Sequence, residues 1–190
     1  MSPKRLIKKL LKWVGILTLL GCLLAVAFYF SVYLGFWTPI YTQEQLAEIR
    51  QSEATEIYAV QGELLGKYYI YDRQPVTYED LPKSLIEALI ATEDARFYDH
   101  NGVDRRSLAR VVLKTIILRQ ESSGGGSTLS QQIIKNLYPR ERHGFFTMPV
   151  NKVREAIMAV RLEKVYSKEE VLTLYLNTVP FGDNTFGVES

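Results

Sequence analysis

The chain has 190 residues, 47% of them apolar and 23% charged, the proportions of one globular domain with or without an appendage rather than of a disordered chain. Its single cysteine, Cys22, excludes an intrachain disulfide scaffold. The net charge of +2 averages an uneven distribution: five of the 23 basic residues fall in the first 12 positions, residues 13–37 carry no charge, and the rest of the chain sets the other 18 basic groups against all 21 acids, which excludes a general nucleic-acid binder because that needs a basic body.

Residues 1–12 form a basic tip, with Lys4, Arg5, Lys8, Lys9 and Lys12 and no acid. The following 25 residues, 13–37, are uncharged and rich in Leu, Val, Phe and Tyr. As a helix they span about 37 Å, enough to cross a hydrocarbon core of about 30 Å with some tilt. Trp13 marks one end and Tyr33, Phe36 and Trp37 the other, where amphipathic rings suit the headgroup level. A cleaved signal peptide and a buried core helix compete with a signal anchor. A signal peptide has an apolar run of roughly 7–15 residues and a small-residue cleavage site, and this run is longer and ends in bulky aromatics. The five cations before the span predict a cytoplasmic N-terminus and a body on the outer face of the membrane.

Residues 38–77 read as a juxtamembrane lead-in. A short helical pattern (Glu44, Leu46, Ile49) precedes two β-prone runs flanking Gln61-Gly62, the pattern of a hairpin or extended pair. From Pro82 the pattern is helical. Helices are expected near 83–98, 104–119, 128–138, 151–165 and 168–177, with start signals at Pro82, Ser127 and Ser167, and Glu170 completing a capping box with Ser167. Residues 121–126 read as a small flexible loop and 139–149 as a basic irregular one. The body, 78–190, is mostly α.

Two carboxylates interrupt this pattern. On a helix, Ile86, Leu89, Ile90, Glu93 and Phe97 share one face, which places Glu93 in the apolar stripe. A carboxylate forced toward low dielectric is pushed up toward the range useful for proton transfer. Equally, Glu93 and Asp94 could sit at a helix end and reach solvent. Glu155 lies in a helix that is apolar on most sides, near Lys152 and Arg154. These cations suit either a buried structural ion pair or an anion site. Between the two carboxylates, Gly124-Gly-Gly-Ser-Thr-Leu-Ser-Gln-Gln-Ile-Ile-Lys-Asn136 leads glycines into a helix. Such a segment exposes backbone N–H groups to an anion or sugar, or is a linker with an N-cap. Ser127, Thr128, Gln131 and Gln132 add polar partners there and Lys135 adds charge. It lacks the Gly-Lys-Ser/Thr of a phosphate-binding P-loop. His100 and His143 form no metal-ligand cluster, and His143 is expected to be solvated. No Ser-x-x-Lys motif occurs in the 190 residues, so the acyl-enzyme chemistry of a transpeptidase is not encoded in them.

In this order the segments resemble the peptidoglycan glycosyltransferases, which occur as monofunctional enzymes and as the N-terminal domain of bifunctional class A penicillin-binding proteins. Glu93-Asp-Ala-Arg-Phe-Tyr-Asp-His-Asn-Gly102 resembles the family's first motif. Gly125-Gly-Ser-Thr-Leu-Ser-Gln-Gln-Ile-Ile-Lys-Asn136 resembles the second, Lys152-Val-Arg-Glu155 the third, and Ser167-Lys-Glu-Glu-Val-Leu-Thr-Leu-Tyr-Leu-Asn177 with Phe181-Gly182 the fourth. The resemblance covers residues 57–190 and the anchor. It implies a lysozyme-like, mostly α-helical domain with a small β element at its start. It also implies polymerisation of lipid II at the outer face of the cytoplasmic membrane, with inversion at the anomeric carbon and release of undecaprenyl diphosphate. By that similarity Glu93 is the general base, and Glu155 organises the leaving diphosphate, directly or through a divalent cation (Mg or Mn). Lys135, Lys152 and Arg154 neutralise the diphosphate, while Asp94, Ser127, Thr128 and Gln131 bind substrate. The implied partners are lipid II, the growing lipid-linked glycan, the membrane and a cell-wall synthesis complex.

The sequence departs from the family pattern twice. The third motif usually starts Arg-Lys, where this chain has Asn151-Lys152; Arg140 or Arg142 in the preceding loop is the expected source of the absent charge. The family also continues beyond the equivalent of Ser190, through further helices and a fifth motif, so the resemblance implies a domain cut short at its C-terminus. Two alternatives stand beside the glycosyltransferase reading. One is a membrane-anchored muramidase-like hydrolase using the same two carboxylates. The other is a non-catalytic, membrane-tethered cell-wall assembly module.

Overall fold

The computed structural model describes residues 3–50, 53–117, 125–182 and 184–189. Most of the loop expected at 121–126 and the last two residues of the helix expected at 104–119 lie outside them.

The first helix, α1, runs from Pro3 to Tyr33. Its stretch Ile7–Tyr33 has a mean hydropathy of 2.2, and it is the one helix among the described residues long and apolar enough to cross a membrane. The apolar window faces outward along its length, which overturns the core-helix reading, since a core helix would be covered. The helix stops short of Trp37. A turn through Gly35 (φ +78°) folds the chain back, and Trp37 Nε1 donates to Ser31 Oγ at 2.8 Å.

The lead-in contains α2 (Gln43–Ala47), closed by a capping box from Thr42 and Gln45. The expected hairpin follows: β1 (Thr55–Tyr58) pairs antiparallel with β2 (Leu64–Tyr68). Gly62, at φ +86°, supplies the turn conformation that an L side chain adopts only with strain. A second small sheet has the order β3 (Asp72–Arg73), β5 (Thr185–Phe186), β4 (Pro180–Gly182), so the end of the lead-in meets the last strands of the body there.

Helices α3 (Lys83–Glu93), α4 (Arg105–Ile117), α5 (Leu129–Leu137), α6 (Thr147–Leu162) and α7 (Lys168–Thr178) build the body. α5 lies against both α6 and α7. Its Leu129, Ile133 and Ile134 join Phe97, Met158, Leu162, Val171, Leu172 and Leu176 in one buried cluster. Three boundaries differ from the sequence pattern. α3 ends at Glu93 and the chain continues as a 3-10 turn at Phe97–Asp99. The N-cap of α5 is Thr128, in a capping box with Gln131, rather than Ser127. α6 begins at Thr147, because Pro149 falls in the first turn, where a missing N–H costs nothing. The Ser167–Glu170 box forms as expected. α1 docks on α6 through a smaller cluster of Val32, Val150 and Ile157.

The link between the turn after α3 and α6 is tight. Gly102 has φ +86°, and a Cβ there would lie 2.5 Å from the Ala159 carbonyl oxygen. Gly102→Ala is therefore expected to destabilise the fold by about 3 kcal/mol through strain and backbone clash. Gly66→Ala, which meets open space, should stay within about 0.5 kcal/mol. Urea midpoints of the two variants in detergent test this difference.

Candidate active site

α3 delivers Glu93 as its last residue, and the next residue turns inward. Asp94 is buried, and its carboxylate accepts from the Leu129 amide at 3.1 Å and from His100 Nε2 at 3.0 Å. The Asp94 side chain thus joins the turn after α3 to the first turn of α5, where a negative charge is favoured. Thr128 reinforces the joint by donating from Oγ1 to the Gly102 carbonyl at 2.6 Å.

Glu93 itself is exposed. This corrects the apolar-stripe reading: Ile86 and Phe97 on that stripe are buried, but the helix ends at 93 and releases the carboxylate to solvent. Its Oε2 accepts from Gln132 Nε2 at 2.9 Å. Gln132 Oε1 in turn accepts from Tyr175 O–H at 3.3 Å, which sets which end of the amide faces Glu93. Burial, with Glu93 nearby, pushes the Tyr175 phenol up, so it stays a donor.

Glu93 opens onto a cleft of about 220 Å³ that Ser127, Thr128, Gly126, Arg96, Asp104 and Arg110 help to line. Its wall is a polar network. Arg96 donates to Asp104 Oδ2 at 2.6 Å and to Ser107 Oγ at 2.9 Å, and Arg110 reaches Ser107 Oγ at 3.1 Å. Asp104 also caps α4, accepting from the amides of Arg106 and Ser107 at 2.9 and 3.1 Å. The sequence reading missed Arg96, Asp104 and Arg110. Asp104 ahead of a helical run is an N-cap signal that could have found the wall; nothing in the pattern indicates that Arg96 folds back onto it.

Beyond Ser127 the cations begin. Lys152 Nζ bridges Ser127 Oγ at 3.0 Å and Glu155 Oε2 at 2.9 Å. Glu155 is 1% exposed, and Arg140 holds its other side, with Nε 2.7 Å from Oε1. Arg140, from the preceding loop, is thus one of two cations held against Glu155. Asn151 instead clamps the 139–149 loop, donating to the Glu141 and Thr147 carbonyls at 2.8 and 2.7 Å.

Several residues expected to bind substrate have other work. Arg154 is 3% exposed and turned away from Glu155. It donates to Thr38 Oγ1 at 2.9 Å, to the Pro139 carbonyl at 3.1 Å and to the Tyr138 carbonyl. Residues two apart on a helix do not share a face, so Arg154 cannot join Lys152. Gln131 spends its side chain in the capping box, accepting from the Thr128 amide at 3.1 Å. At the start of α5 Asp94 takes the Leu129 amide and Thr128 Oγ1 that of Gln131. Lys135 is exposed on α5 and is not part of the cleft lining. His143 is not solvated: it is half-buried, its ring 5.9 Å from Trp37.

Glu155 does not fit a divalent-cation ligand. Both its oxygens already face cations, and among the described residues no group of three His, Cys, Asp or Glu is placed to hold a metal.

The transglycosylase family model matches residues 61–190. The chain is 32% identical over 184 residues to penicillin-binding protein 1A of Escherichia coli, covering 95% of this chain and 21% of that protein. It is 37% identical over 129 residues to penicillin-binding protein 1F of Bacillus subtilis, covering 68% of this chain and 17% of the relative. It is 38% identical over 133 residues to penicillin-binding protein 1A of Haemophilus influenzae, covering 70% and 15%. The chain thus spans about a fifth or less of the length of these curated relatives.

The Asp104 carboxyl gives the site a pH signature. Burial pushes it up, but the Ser107 amide, the Arg96 guanidinium and the Ser107 hydroxyl outweigh burial and bring it from 3.8 down to about 2. Its ionised form therefore stabilises the fold fully above pH 3.8, and that contribution is lost as pH falls through about 2. Asp104→Asn should flatten this part of the stability profile, read as urea midpoints from pH 5 to pH 2.

Proposed function

The chain belongs to the transglycosylase family, and on that premise we propose that the cleft beside Glu93 is the glycosyl-transfer site of a peptidoglycan glycosyltransferase that polymerises lipid II. The observation that carries the proposal is the contrast between the two carboxylates. Glu93 is exposed, with Oε2 held by Gln132, whereas Glu155 is buried between Arg140 and Lys152.

In the proposed reaction the acceptor sugar's 4-hydroxyl attacks the anomeric carbon of the growing lipid-linked glycan. Its proton passes to Glu93, the bond to the diphosphate oxygen breaks, and the anomeric centre inverts. Gln132 holds the carboxylate plane, so the base is positioned before the hydroxyl arrives. The departing diphosphate carries the bonding electrons away and needs positive charge aimed at it. Lys152, steadied by Glu155 and Ser127, and Arg110 at the cleft edge supply that charge. Glu155 acts by holding two cations in place; no step passes through a metal on it.

The same contrast counts against hydrolysis by this pair. A retaining or inverting glycosidase needs both carboxylates free to face the glycosidic bond, and Glu155 faces cations on both sides. An accessible, amide-oriented Glu93 is equally out of place in a non-catalytic assembly module. The anchor extends the proposal to location: α1 spans the cytoplasmic membrane with its basic tip inside. The body then works on lipid-linked substrates at the outer face, within reach of a cell-wall synthesis complex.

Glu93→Gln is expected to lower lipid II polymerisation about 10²–10⁴-fold with an unchanged urea midpoint, read as glycan strands on a gel. Near-normal polymer would sink the assignment. Glu155→Gln leaves Arg140 and Lys152 without their counter-charge. It should lower turnover and also cost roughly 2–4 kcal/mol of stability; a stability loss with full turnover would reduce Glu155 to a structural ion pair.

A further inference from the structure

We propose that Lys168 is a positioning residue for the transfer step: from the start of α7 it fixes the gap between the turn after α3 and the first turn of α5, and with it the alignment of Glu93 against Gln132. This rests on the proposed role of Glu93 as general base and adds a support that touches neither the substrate nor the reacting atoms.

Lys168 is out of place for the helix it begins. It follows the N-cap Ser167, where the helix dipole favours acids over a cation, and Glu169 and Glu170 already meet that need. Its donors go elsewhere. Nζ donates to the Phe97 carbonyl at 2.6 Å, to the His100 carbonyl at 2.7 Å and to Glu163 Oε2 at 2.6 Å, which uses all three of its protons. It also stands 4.2 Å from the centre of the Phe97 ring, near enough for a cation–π attraction.

Glu163, the C-cap of α6, carries the tie across. Its side chain is 2% exposed, and its Oε1 accepts from the Ser130 hydroxyl. Ser130 follows Leu129, whose amide holds Asp94. The turn after α3 and the first turn of α5 are thus joined twice, once through Asp94 and once through Lys168, Glu163 and Ser130. Gln132, the partner of Glu93, lies two residues beyond Ser130 on the same helix.

The second tie decides whether the first one closes. His100 Nε2 meets Asp94, but its Nδ1 is buried and has no hydrogen-bond partner among the described residues. The bond that a ring makes through its second nitrogen usually fixes the state of the first; with none here, the ring is held by its backbone and its packing. Lys168 grips that backbone at the His100 carbonyl. The Phe97 ring under the ammonium lies edge-on to the His100 ring, 6.3 Å away. Without the ammonium, the Phe97 and His100 carbonyls lose the charge on which they converge, and the turn loosens. A small displacement of a catalytic group then lowers rate rather than affinity.

The test is steady-state polymerisation of lipid II by the full chain in detergent, with urea midpoints measured beside it. Lys168→Met keeps the stem and removes the three donors. Lys168→Met combined with Glu163→Gln does the same without leaving a buried carboxylate unpaired, and it is the variant to read where the single one does not fold. Leu172→Ala, which opens a cavity on the same helix, is the control for lost stability. The expected result is that both lysine variants lower kcat about 10-fold with KM for lipid II within about twofold, while Leu172→Ala lowers the urea midpoint and leaves kcat unchanged. In a Glu93→Gln background, Lys168→Met should lower the residual rate no further, because no base is left to align. A lower midpoint with full kcat reduces Lys168 to a structural tie and overturns the proposal. A raised KM with normal kcat overturns it too, as does a loss that persists in the Glu93→Gln background. Near-normal polymer from Glu93→Gln alone overturns the base, and this proposal with it.

Discussion

The position of Glu93 depends on one buried carboxylate, that of Asp94. An ionised side chain taken out of water must find donors or it destabilises the fold by several kcal/mol. Asp94 finds them in two segments far apart in sequence, the Leu129 amide at the start of α5 and His100 in the turn after α3. Satisfying Asp94 brings the end of α3 to the start of α5, and this juxtaposition lets Gln132 reach Glu93. Lys168 steadies the same turn from α7, with Nζ 2.6 Å from the Phe97 carbonyl and 2.7 Å from that of His100. The accessible carboxylate is precise because its neighbour is not accessible.

Glu155 follows the opposite logic. Its burial is tolerable because Arg140 grips both of its oxygens and Lys152 meets Oε2 as well. In return it fixes two cations that would otherwise repel. Lys152 hands the arrangement on to Ser127 at the cleft edge. Arg154, one position before Glu155, serves a separate purpose. It ties Thr38, just past the end of α1, to the chain around Tyr138 and Pro139. The third motif thus carries two tasks on two faces of α6, one directed to the cleft and one to the joint between α1 and the body.

Much of the architecture was legible in local pattern. An uncharged run of this length specifies a membrane-competent helix, and the Ser167–Glu170 box and the hairpin around Gly62 form where the residues predict them. These features depend on neighbours a few residues apart, so chain order suffices to read them. The α3 stripe misled because helical periodicity says which residues share a face but not where the helix stops. The stop after Glu93 is imposed by Asp94 turning inward to a partner 35 residues away.

By itself the sequence determined the family, the long apolar helix and the mostly helical body, because four motifs in fixed order and a 25-residue uncharged run are properties of the chain as a string. Tertiary structure alone decided which carboxylate meets solvent. It also decided that Arg140 pairs with Glu155, that Arg154 serves the joint between α1 and the body, and that Gln131 belongs to a cap while Gln132 touches Glu93. The physical reason is that burial and ion pairing are set by what packs opposite a side chain. For these residues the opposing groups come from other elements or from the other face of the same helix.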